Sequence, residues 1–119
     1  MSNTEKRLKV TNNIGFIRYS FVVVLKEDNS LTVETEKGKP LEQFRGYYSF
    51  NNETDLIIMS ISNPTENSDE GPKDSSTLYQ GSMHEGKFSG PCVGANAQQT
   101  GLTNFTWTAE YINIPASVV

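Results

Sequence analysis

Cysteine, histidine and tryptophan each occur once among the 119 residues. A lone Cys92 rules out an intrachain disulfide and a thiolate zinc site. A lone His84, without a nearby acidic pair, offers too few ligands for a transition metal, so no metal and no cofactor is expected. Long apolar runs are missing as well. The longest, Phe21 to Leu25, is a strand's worth, against the ~20 residues that a bilayer-spanning helix needs. Ser2 to Lys9 is polar and has no apolar signal-peptide centre, so the expected location is cytoplasmic. Basic residues are few: Lys and Arg total 10 against 14 Asp and Glu, for a net charge of −4. Nucleic acids and anionic membranes are held by cations that neutralise phosphates, so neither is an expected partner.

Helical periodicity is also lacking; no window places apolar residues at three- and four-residue spacing behind a capping residue. What recurs is alternation with period two, the signature of half-buried strands. Ile17, Tyr19, Phe21, Val23 and Leu25 share one face of a first strand, and Leu31, Val33 and Thr35 share one face of a second. Phe44, Gly46, Tyr48 and Phe50 follow, then a fourth strand from Asp55 to Ser62 that is apolar on both faces. Tyr79, Gly81 and Met83, then Phe88, Gly90 and Cys92, carry the pattern through two more. The last strand sets Phe105, Trp107, Ala109 and Tyr111 against Asn104, Thr106, Thr108 and Glu110.

These elements predict an all-β, antiparallel up-and-down meander of seven strands, or eight if Leu8 to Thr11 pairs. Strand glycines at Gly46, Gly81 and Gly90 favour closure into a small barrel, where bends crowd a side chain. The expected layout is a polar N-terminal segment over 1–15, one barrel domain over 16–112 and a tail over 113–119. Asn63 to Ser76 has no large apolar residue and is expected to be a mobile loop.

The cadence of Phe44-Arg45-Gly46-Tyr47-Tyr48, Leu78-Tyr79-Gln80-Gly81-Ser82, Gly86-Lys87-Phe88-Ser89-Gly90 and Asn104-Phe105-Thr106-Trp107-Thr108-Ala109 resembles small calycin-like barrels of the avidin and lipocalin type. The resemblance implies the up-and-down barrel architecture over about residues 16–112. It implies no biotin site, because avidins line theirs with several tryptophans and this chain has only Trp107.

Chemistry-bearing residues are sparse. His84 sits in a hairpin turn, where Glu85, on the opposite side of the chain, does not orient it. Cys92 lacks an adjacent base and reads as a small buried hydrophobe. The aromatic set is the more informative. Tyr19, Tyr47, Tyr79, Trp107 and Tyr111, with Arg45 among them, are the candidate ligand-binding residues. Aromatic side chains with polar tips can line a pocket for a small apolar or aromatic molecule, or simply fill a narrow barrel. No catalytic constellation accompanies them. The expected function is therefore a non-enzymatic barrel that binds a small molecule or self-associates. The alternative is a small isomerase- or cyclase-like enzyme that orients a hydrophobic substrate in its cavity. A homodimer is expected from apolar residues on strand faces opposite other apolar residues: Val22, Val24, Ile57, Met59 and Ile61.

Overall fold

The computed structural model describes residues 5–14, 17–63, 75–95 and 103–112. They form eight strands: β1 (Lys6–Ile14), β2 (Ile17–Leu25), β3 (Ser30–Glu34), β4 (Pro40–Asn51), β5 (Leu56–Asn63), β6 (Ser75–His84), β7 (Lys87–Ala95) and β8 (Thr103–Ile112). Each pairs antiparallel with the next, and β8 returns to pair with β1, closing a barrel in chain order. The all-β meander expected from the alternation is the observed fold. No helix among the described residues is long and apolar enough to cross a membrane.

The barrel begins earlier than the alternation indicated. Lys6–Ile14, placed outside the 16–112 domain except in the eight-strand alternative that pairs Leu8 to Thr11, is a full strand with Val10 opposite Phe21 on one side and Ala109 on the other. Its inward residues are Leu8, Val10 and Asn12, all fully buried. Only two of the three are apolar, and the intervening Arg7 and Lys9 mask the pattern. Of the expected loop at 63–76, Asn63 ends β5 while Ser75 and Ser76 open β6. The remainder of that loop, and the tail from 113, lie outside the described residues.

The tight turns have the backbone their residues permit. Glu85 and Gly86, at φ 53° and 85°, join β6 to β7 as a two-residue turn whose left-handed pair matches the twist of a hairpin. Closure explains the strand glycines. A Cβ on Gly46 would overlap the carbonyl oxygen of Ser60 on β5, and one on Gly90 would overlap that of Gln80 on β6. Neighbouring strands therefore approach more closely there than any side chain allows.

The interior is filled by Leu8, Val10, Val23, Leu31, Ile57, Met59, Phe88 and Trp107, all essentially inaccessible to solvent. On β5 the three residues expected on a dimer face, Ile57, Met59 and Ile61, point inward, whereas Ile58 is 40 % exposed on the outside. Val22 and Val24 lie on the outer face of β2, yet each is only 3 % exposed. The cause is an ion pair that crosses β2. Arg7 is registered beside Val24, Glu34 beside Val22, and the guanidinium meets the carboxylate at 3.4 Å through two nitrogens. The arginine stem covers apolar surface while its head stays wet. All five residues behind the dimer expectation are thus buried within the single chain.

Two substitutions test closure. Gly46→Ala should lower stability to urea by about 3 kcal/mol, the upper range for forcing an atom into filled space. Arg45→Ala, one residue away and exposed, should change it by less than about 0.5 kcal/mol. Equal effects of the two would refute the close-approach account.

Candidate functional site

One end of the barrel gathers the ends of β1, β5 and β7 and the starts of β2, β6 and β8. Its inward residues include Asn12, Tyr19, Phe21, Tyr79, Cys92 and Trp107. The strand register places Asn12 directly between Tyr19 on β2 and Trp107 on β8, and sets Tyr79 beside Cys92. Alternation alone turns all of these side chains inward.

Asn12 ties the cluster together. Its Nδ2 donates to the Tyr19 hydroxyl at 2.9 Å and, across the lumen, to the Tyr79 hydroxyl at 3.0 Å. Cys92, the register partner of Tyr79 on β7, adds its buried sulfur to the cluster. Aromatic rings frame this chain of bonds: Tyr79 meets Trp107 edge-on at 5.4 Å and Phe21 at 6.4 Å, and Phe21 stacks on Tyr19 at 6.3 Å. One acceptor is left over. Asn12 Oδ1 is buried and has no hydrogen-bond partner among the described residues. Turning the amide round would aim the oxygen at both tyrosines and orphan the nitrogen instead. That would leave two buried N–H donors unpaired in place of one acceptor, so the first orientation satisfies more groups.

Electrostatics leave the cluster neutral. Burial pushes the Tyr79 hydroxyl well above its ordinary range. Burial likewise pushes the Cys92 thiol up to about 12, against a smaller opposing contribution from the Tyr79 hydrogen bond. A thiol held protonated is neither nucleophile nor metal ligand. His84, 83 % exposed, lies at the β6–β7 turn, the opposite end of the barrel. No grouping of His, Cys, Asp and Glu among the described residues would hold a metal ion.

Trp107 serves structure as well as site. Pro91 has no N–H to give, and the β6–β7 ladder breaks between the Tyr79–Cys92 and Ser82–Ser89 pairs. The indole N–H fills the break, donating to the carbonyls of Pro91 at 3.0 Å and Gln80 at 3.2 Å. Gly81 leaves room for it; a Cβ there would stand 2.8 Å from the indole.

Of the residues singled out from the alternation, Tyr19, Tyr79 and Trp107 therefore meet at this mouth. Tyr111 lies at the other end, edge-on to Phe88 at 5.9 Å and 40 % exposed. Arg45 and Tyr47 point out of the barrel, Tyr47 being 71 % exposed. Asn12 was not singled out, although a polar residue continuing the Leu8, Val10 series was the available signal. Comparison with protein-family models, curated proteins and solved structures gives no match, so the site is read from its own geometry.

The thiol gives a pH prediction. Cys92 has a folded pKa above its ordinary value of 9.0, so the folded state holds the proton more tightly. The stability this contributes is complete below pH 9 and is lost as pH rises from about 9 towards about 12. Tyr79 acts in the same direction. Urea midpoints should be flat from pH 7 to 9 and fall above, less steeply in Cys92→Ala. Alkylation by iodoacetamide at pH 8 should be absent in the folded chain and complete in urea.

Proposed function

We propose that the chain is a non-enzymatic barrel that binds one small, flat, uncharged molecule at this mouth, through an N–H or O–H donated to Asn12 Oδ1. The observation that carries the reading is that buried, unpartnered oxygen. Leaving an acceptor unsatisfied costs about 1–3 kcal/mol, and folded proteins rarely keep one without a use. A ligand donor would recover that cost on binding. The rings of Tyr19, Phe21 and Tyr79 would supply the apolar walls. Tyr19, 47 % exposed and bonded to Asn12, is the side chain whose displacement would admit the molecule. The filled lumen beneath Trp107 limits the ligand to the size of one or two rings.

The same geometry favours binding over the isomerase- or cyclase-like alternative. An acid–base enzyme needs a group that titrates near its working pH. Tyr79 and Cys92 are both held protonated, and His84 lies at the far end.

The test uses Asn12→Leu, similar in size and without the amide. Trp107, the only tryptophan, is in ring contact with Tyr79 and reports occupancy by its emission. Titration with uracil, benzimidazole and indole should change that emission saturably for at least one of them in the native protein. In Asn12→Leu, folded by circular dichroism, the affinity should fall about tenfold or more, the equivalent of one good hydrogen bond. The reading is overturned if the native protein responds to none of the three and Asn12→Leu is simply more stable.

A further inference from the structure

The outer surface of the barrel carries a second concavity, separate from the mouth. It is a groove of about 460 Å³ over β2, β1, β8 and β7, lined by Lys9, Thr11, Arg18, Lys87, Thr108 and Glu110 among others. A barrel exterior is ordinarily convex, and the side-chain lengths explain the departure. The register aligns Ser20, Thr11, Thr108 and Ser89 in one row across the four strands. The row above runs Arg18, Asn13, Thr106; the row below runs Lys9, Glu110, Lys87. Short hydroxyl side chains thus form a floor between an upper wall whose one long charged side chain is Arg18 and a lower wall of Lys9, Glu110 and Lys87. With strands about 4.8 Å apart and same-face residues about 6.8 Å apart, the floor from Ser20 to Thr108 is roughly 10 Å long and the walls are roughly 14 Å apart at the backbone.

The walls are basic in a chain that is acidic overall: three cations and one carboxylate line the groove, against a net charge of −4 for the whole protein. Arg18 donates through Nε to Asn13 Oδ1 at 2.8 Å and lines the groove's upper edge. Lys9 is shared with Glu36 at 3.3 Å. Lys87 and Glu110, although neighbours in register, form no ion pair with each other or with any other described residue. The floor offers hydroxyls that both donate and accept, and Thr11 and Ser20 already hold each other at 2.8 Å. No aromatic side chain among the described residues lines the groove, so none of them would stack there on a nucleobase or on the apolar face of a neutral sugar.

We propose that this groove binds a small anionic polyol, a sugar-sized polyhydroxylated body bearing one phosphate or carboxylate group. Arg18 takes the acid group, and the hydroxyl row with Lys9, Lys87 and Glu110 takes the ring hydroxyls, the lysines as donors and Glu110 as acceptor. The site is open and its charges are solvated, so binding is weak at physiological salt and strengthens as salt is lowered.

Nuclear magnetic resonance titration of the full chain with glucose 6-phosphate, glucuronate, glucose and inorganic phosphate tests this. Saturable amide shifts in β1, β2 and β8 are expected with glucose 6-phosphate or glucuronate, and the one saturating at lower concentration identifies the acid group. Arg18→Ser and Lys87→Ser lie on the outside of the barrel and should leave its spectrum intact. Each should weaken binding by about fivefold, as expected for one exposed charge-assisted contact. The proposal fails if inorganic phosphate matches the sugar acids, because the hydroxyl floor then contributes nothing. It fails equally if glucose binds as well as they do, or if no shift saturates. Titration of the Asn12→Leu variant should be unchanged, which separates this site from the mouth.

Discussion

Pairing of β1 with β8 is the contact on which both sites depend. It joins Arg7 to Ile112 and Asn13 to Thr106, almost the full length of the chain apart. On its inner side it sets Asn12 against Trp107 and so completes the polar cluster at the mouth. On its outer side it sets Thr11 beside Thr108 and Lys9 beside Glu110, joining the floor and the lower wall of the groove. An open sheet of the same strands would have neither. It would also present two unpaired edges, one of them a β8 with three threonines and three aromatics that invites pairing with other chains.

Much of the barrel was legible because each strand repeats a single rule. Alternation groups the residues that share a face on β2, β4, β6, β7 and β8, including the unlike set Phe88, Gly90 and Cys92. β1 was harder to read, since only Leu8 and Val10 are apolar among its charged neighbours, and Asn12-Asn13 reads locally as a turn. That one ambiguity hid the residue that organises the mouth. β5 misled in the other direction: Ile58 is apolar but outward, so neither of its faces looked like a surface. Tyr47 and Arg45 share the aromatic neighbourhood of Tyr48 in sequence and lie on the opposite face in space. The groove was not legible at all, because its rows exist only once four strands are set in register.

The two faces of the wall deal with burial differently. Inside, the polar groups of Asn12, Tyr19 and Tyr79 partner each other, and among the described residues only Asn12 Oδ1 is left buried without a partner. Outside, two valines are covered by charged side chains of the same chain, and the Arg7–Glu34 pair screens them from water. Such a half-exposed pair contributes little as a Coulomb attraction. Its main effect is to keep an apolar stripe from acting as an adhesive surface.

The indole of Trp107 also bears on the order in which the barrel assembles. The β6–β7 hairpin is local and has a favourable turn, so it is suited to early formation. Yet two carbonyls in its middle, those of Gln80 and Pro91, find their donor on a third strand. The hairpin alone is therefore a partial zip, closed at its turn and frayed at its centre. Only the docking of β8 finishes it, so two neighbouring pairings that could have formed independently become one cooperative step.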